Sequence, residues 1–203
     1  MPKVTALFWD VGGVVLSNGW DRAARQAVTR QFGLDEAEFE SRHELVVSRF
    51  ETGRMSLDTY LARTVFYAPR AFSPEQVRQF MFAQSQPKPA TLKFLAKLAG
   101  AGRYLLATLN NESRELNQYR IETFHLRKYF TVFFSSCFLG AQKPDEEIFR
   151  LALEMTQRRP DEVVFIDDRS LNVECARHCG LCGIQFQSVE QLEQELRRLG
   201  VEI

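Results

Sequence analysis

The chain has 203 residues, of which 26 are basic and 26 acidic, and 45% are hydrophobic. That hydrophobic share suits a chain with a sizeable core and excludes disorder, while a formal net charge of zero leaves no field to draw it to nucleic acid or to an anionic membrane. No run approaches the length of a membrane span, and Met1-Pro2-Lys3 passes into a strand without the basic, apolar and cleavage-site segments of a leader, so a soluble cytoplasmic protein is expected.

The first element in chain order is the apolar run from Val4 to Trp9, which ends in Asp10 and continues as Val11-Gly12-Gly13. An aspartate there is held at a rigid edge, and the glycines allow backbone and ligand to approach closely. This is the pattern of a placed nucleophile or metal ligand, the alternative being an aspartate that caps a strand-to-turn junction. From about Trp20 to Ser85 the signals are helical. Leu34-Asp35 with Glu38, Ser56-Leu57-Asp58 and Ser73-Pro74-Glu75-Gln76 mark helix starts, the last of them a capping box with proline at the first helical position. Between these starts the helical spacing predicts one face with Leu45, Val46, Arg49 and Phe50, and another with Tyr60, Leu61, Thr64 and Val65. Trp20, Asp21 and Arg22, at the head of this segment, either face a substrate or pack a hinge.

After Pro87-Lys88-Pro89 short apolar strands alternate with helices. Strands are predicted at Tyr104 to Thr108, Val132 to Phe134, Val163 to Ile166 and Gly183 to Phe186. Helices are predicted near Ala90 to Leu98, Ser113 to Phe124, Asp145 to Gln157, Leu171 to Cys179 and Val189 to Leu199. Such alternation predicts an α/β fold with a mostly parallel sheet covered on both faces, in which ligands bind beyond the carboxyl ends of the strands. Asp10, Asn110, Lys143 and the adjacent pair Asp167-Asp168 all fall at or just past strand ends, so one pocket can collect them. Cys175, His178, Cys179 and Cys182 raise a zinc reading. Cys175 and Cys179 lie one turn apart on a helix beside the site, and small core residues are the favoured reading.

Asp10-Val11-Gly12-Gly13-Val14, Leu109-Asn110, Lys143-Pro144 and Asp167-Asp168-Arg169-Ser170-Leu171-Asn172 fall in the order and spacing of the four motifs of the haloacid dehalogenase superfamily, which the chain resembles over nearly its whole length. The resemblance implies a Rossmann-like parallel-sheet core in residues 1–16 and 87–203, with a small helical cap domain, residues 17–86, inserted after the first strand. It implies a Mg2+-dependent phosphatase acting on a small phosphomonoester through an aspartyl-phosphate, sugar-1-phosphate phosphatases being among the similar members. On the same resemblance Asp10 is the nucleophile, and Mg2+ is held by Asp10, the Gly12 carbonyl and Asp168, with Asp167 acting through water. Lys143 brings positive charge to phosphate and nucleophile, Asn110 donates to a phosphate oxygen, and Asn172 either orients a carboxylate or caps the helix it begins.

Two departures from the family pattern matter. Gly12 stands where the phosphatases usually place a second aspartate as general acid and base, and Leu109 stands where a Ser or Thr usually precedes the motif Asn. At the second place the contact passes either to backbone N–H groups from Leu109 to Asn111 or to Thr108. At the first, loss of a group commonly worth about 10^2 to 10^4 in rate favours leaving groups that depart unaided, such as anomeric, acyl or aryl phosphates. Asp21 is the first candidate for a substitute proton donor. A 2-haloacid dehalogenase, which lacks the second aspartate and needs no metal, is the alternative enzyme. Against it, Asp167-Asp168 would pack two negative charges beside Asp10 without a cation. A non-catalytic phosphoester-binding protein is the other alternative, and a retained carboxylate aimed at a phosphate speaks against that.

Overall fold

The computed structural model describes residues 3–203; Met1 and Pro2, at the head of the expected core, lie outside the described residues. Strands β1 (Ala6–Trp9), β2 (Leu105–Asn110), β3 (Val132–Ser135), β4 (Val163–Asp167) and β5 (Cys182–Gln185) form one sheet in the order β3-β2-β1-β4-β5. Every pairing is parallel, and β1 at the centre sets Phe8 against Ala107 on one side and Phe165 on the other. A strand presents alternate residues to opposite faces, and here both faces are covered, so the strands read as unbroken apolar runs. Leu7, Trp9, Leu106, Val164, Ile166 and Ile184 turn to one side, where they meet α5 (Pro89–Ala101), α6 (Arg114–Thr123) and α10 (Val189–Arg198). Phe8, Ala107, Leu109, Phe134 and Phe165 turn to the other, against α8 (Glu146–Thr156) and α9 (Ser170–His178). The short helix α7 (Ser136–Leu139) follows β3 directly.

Between β1 and β2 the chain forms α1 (Arg22–Phe32), α2 (Glu36–Glu51), α3 (Leu57–Thr64) and α4 (Pro74–Ala83). Each starts on an oxygen that accepts from an otherwise unpaired N–H of the first turn: Asp21, Asp35, Ser56 and Ser73, the last in a complete capping box with Gln76. Their apolar faces build a third cluster around Phe39, Phe50, Tyr60, Leu61 and Met81, which meets the core helix α6 at Leu116. On α2 the buried stripe is Phe39, His43, Val46 and Phe50. Leu45, expected on that face, is 81% exposed. A 3.6-residue period carries the stripe through His43 and leaves position 45 outside it, so a polar residue holds a buried place that an apolar count assigns elsewhere.

The two connections to this helical segment run side by side. Leu16 bridges to Pro87, Ser17 N donates to Gln86 O at 2.8 Å, and Ser17 Oγ donates to Gln84 O at 2.8 Å and accepts from Gln86 N at 2.9 Å. Strand β2 runs two residues further than expected, to Asn110, which pairs in register with Ser135. Cys175 and Cys179 pack against the cluster on one face of the sheet and Cys182 against that on the other. Among the described residues no helix is long and apolar enough to cross a membrane.

Candidate active site

Parallel pairing places the site. Asp10 continues the ladder past Trp9 by donating its N–H to Ile166 O at 2.8 Å, so its side chain emerges beside Asp167, the last residue of β4. Lys143 arrives from the loop before α8 and is clamped by Asn111, whose Oδ1 accepts from Lys143 N and whose Nδ2 donates to Lys143 O, both at 2.8 Å. Its Nζ donates to Asp10 Oδ1 at 2.8 Å and to Asp167 Oδ2 at 2.6 Å. Asp167 is fully buried and also accepts from Arg169 N at 2.8 Å and from Asn172 Nδ2 at 3.0 and 3.1 Å. Asn172 lies inside α9, whose N-cap is Arg169, so its amide orients the carboxylate and does not cap the helix.

Burial is the main force raising the Asp10 carboxyl above its ordinary range; Lys143 opposes it, and the charges of Asp167 and Asp168 add to it. For Lys143 burial works toward the neutral form, but Asp10 and Asp167 together outweigh it and keep the ammonium charged. Ligand oxygens of Asp10, Asp167 and Asp168 lie within 4.8 Å of one another. Three carboxylates around one ammonium leave a surplus of negative charge, and Asp168 Oδ1 is buried without a hydrogen-bond partner. Gly13 makes room for that side chain: its φ is +76°, and a Cβ on it would lie 2.1 Å from Asp168 Oδ2. Hard oxygen donors with uncompensated charge and an unpartnered carboxylate oxygen fit Mg2+.

Above these groups opens a pocket of about 380 Å3. Its core side carries Asn111, Glu112, Arg120 and Arg169, and its helical side carries Trp20, Asp21, Arg22, Arg25, His43 and Glu51. Trp20 lines the pocket and also packs in the helical cluster, where its Nε1–H donates to Tyr60 Oη at 2.9 Å. Asp21 also reaches the pocket, although its Oδ1 is engaged by Ala24 N at 2.9 Å. Arg25 is fixed by two bonds to Glu40, at 2.7 and 2.8 Å, and donates to Trp20 O at 2.8 Å.

The second motif is placed differently from expectation. Thr108 is wholly buried with its hydroxyl unpartnered, Leu109 packs into the apolar cluster on the opposite face, and Asn110 is engaged by Ser135 Oγ at 2.9 Å and Asn117 Oδ1 at 3.2 Å. The side chains of these three do not line the pocket. Because β2 extends to Asn110, the first residues released from the sheet are Asn111 and Glu112, and these enter the pocket. Their position directly after the motif was the available sequence signal. For Arg120, which donates to Ser85 Oγ at 3.0 Å and Ser17 O at 2.8 Å and pairs with Glu112 at 3.1 Å, no local signal exists, since its partners come from distant segments.

Residues 4–180 match the haloacid dehalogenase-like hydrolase family. The chain is 27% identical over 202 residues to the chloroplastic flavin mononucleotide hydrolase 1 of Arabidopsis thaliana, covering 99% of this chain and 80% of that one. It is 27% identical over 114 residues to a sesquiterpene phosphatase of Aspergillus oryzae, covering 56% and 58%. A HAD family enzyme of Bacteroides thetaiotaomicron superposes with a TM-score of 0.82 at 21% identity, over 97% of this chain and all, 100%, of that one. A structure of the same enzyme in complex with magnesium and inorganic phosphate superposes with a TM-score of 0.75 at 20% identity, over 93% and 98%.

Proposed function

Because the chain belongs to the haloacid dehalogenase-like hydrolases, we propose that it is a Mg2+-dependent phosphatase that cleaves a small, hydroxyl-rich phosphomonoester, a sugar phosphate being the class that suits the pocket. The observation that carries this reading is the bridge from Lys143 to both Asp10 and Asp167, with Asp168 in the same 4.8 Å cluster. Without a cation, a dehalogenase forming an ester on Asp10 would pack two further negative charges beside it, a repulsion that a metal-assisted phosphoryl transfer offsets. Phosphatase and hydrolase relatives, and magnesium with phosphate in a structural neighbour, support the same choice. Charged and polar walls favour hydroxyl groups over a flavin ring or a terpene.

Asp10 attacks phosphorus as the bond to the leaving oxygen breaks, and water then hydrolyses the aspartyl-phosphate. Lys143 fixes the plane of the Asp10 carboxylate through Oδ1 and keeps a positive charge beside the incoming phosphate. Asp10, the Gly12 carbonyl and Asp168, with Asp167 acting through water, would hold Mg2+, whose charge would offset the repulsion between nucleophile and phosphate. Asn172 and the Arg169 N–H hold Asp167 so that Lys143 stays centred between the two carboxylates. Asn111, through its paired bonds to the Lys143 backbone, couples the end of β2 to that lysine. Residues 17–86 act as a cap that limits water and selects the substrate.

Hydrolysis of p-nitrophenyl phosphate and of a panel of sugar phosphates, with and without Mg2+, tests this. Metal-dependent turnover that disappears in Asp10→Asn, with the unfolding transition retained, is expected. Metal-independent halide release from a 2-haloacid, with no phosphate release, would overturn the reading.

A further inference from the structure

Gly12 leaves this chemistry without a carboxyl two residues after the nucleophile. A Cβ on Gly12 would lie 3.1 Å from Asn18 Oδ1, a tight approach, and 3.8 Å from Arg120 Nη1. Nearby carboxyls divide by how they are held. Glu112 is engaged on both oxygens, Oε1 by Ser113 N at 2.9 Å and Oε2 by Arg120 Nη1 at 3.1 Å. Asp21 is engaged as the cap of α1. Glu51 differs from both. It is the last residue of α2, its main-chain carbonyl is pinned to the core by Ser136 Oγ at 2.6 Å, and its half-buried side chain lines the pocket shared with Asp10 and Lys143. Among the described residues no donor holds its carboxyl.

Resting on the phosphatase reading, we propose that Glu51 takes over the missing acid and base role, giving a proton to the leaving oxygen and recovering one from the attacking water. In the first step the bond from the Asp10 oxygen to phosphorus forms and the ester P–O bond breaks, and the released electron pair is protonated by Glu51. In the second step water bonds to phosphorus, the P–O bond to Asp10 breaks with its electrons returning to Asp10, and the water proton passes to Glu51. The titratable and charged groups that interact with Glu51 are Glu112 on the stretch after β2, Tyr60 on α3, Arg169 before α9, Arg25 on α1 and Lys143 before α8. Burial is the main cause that lifts its carboxyl from 4.5 to about 7; Glu112 adds to it and the three cations oppose it. A carboxyl titrating near neutrality serves both as donor in the first step and as acceptor in the second.

The test compares wild-type protein and Glu51→Gln on esters of rising leaving-group pKa: p-nitrophenyl, phenyl and glycerol phosphate. The loss of kcat/KM should grow along the series, reaching about 10^2-fold or more for the alkyl ester and staying well below that for the nitrophenyl ester. A uniform loss across the series, or no loss, would overturn the assignment while leaving the phosphatase reading intact. Wild-type protein inert toward every ester would sink both. Independently of turnover, isotope-edited infrared spectra should show a protonated carboxyl band near neutral pH that is absent from Glu51→Gln. A Glu51 fully ionised at pH 6 would also overturn the assignment.

Discussion

At the scale of single residues, the site depends on close approaches that particular side chains permit. Gly13 is the clearest case, because it combines a left-handed backbone with the absence of a Cβ where Asp168 passes. Gly13→Ala should cost about 1 to 3 kcal/mol from backbone strain and should also push the Asp168 carboxylate out of its cluster with Asp10 and Asp167. Calorimetric titration with Mg2+ checks the second effect, and a large fall in affinity is expected. Unchanged affinity would mean that Asp168 is not a ligand. Lys143 shows the complementary logic, since it is buried only because two carboxylates meet it there.

At the scale of elements, α2 and α3 are joined by a buried polar chain. Trp20 Nε1–H donates to Tyr60 Oη, and His43 Nδ1 shares a hydrogen bond with the same oxygen at 2.7 Å. Burial, assisted by the charge of Arg25, lowers the His43 value from 6.5 to about 4. Because the folded value lies below the unfolded one, the stability this brings is fully present above pH 6.5 and is lost as pH falls towards 4. Urea unfolding at pH 7 and pH 4.5 should therefore show wild-type protein losing about 2 kcal/mol more than His43→Gln across that interval. Equal losses would place the titrating group elsewhere.

At the scale of the whole molecule, Arg120 ties α6 to both connections of the helical segment and to the pocket wall. Its contacts to Ser17 and Ser85 span the chain on either side of α1 to α4, and its third is the buried pair with Glu112. Arg120→Met leaves Glu112 buried without its cation, which should destabilise the protein by about 3 kcal/mol in urea unfolding. Adding Glu112→Gln should restore part of that loss, because the uncharged amide no longer needs the cation. A double variant as unstable as the single one would show that the Ser17 and Ser85 bonds, and not the charge pair, carry the effect.

The sequence by itself determined the elements and the framework of the site. Asp35, Ser56 and Ser73 each start the helix they announce, and alternation of apolar strands with helices specified a parallel α/β sheet, because caps and periodicity act over a few residues. Asp10 and Asp167 were legible as strand-end groups that the register of β1 and β4 sets side by side, whereas Lys143 reaches both from the loop before α8. Only tertiary structure decided where β2 ends, and so whether Asn110 or Asn111 reaches the pocket, since that depends on pairing with β3. His43 at a buried place on α2, Glu51 at its end and Arg120 between the two connections were likewise decided there. Their burial and partners come from segments up to about a hundred residues away, as from Arg120 to Ser17, and a local pattern carries no record of contacts made across that distance.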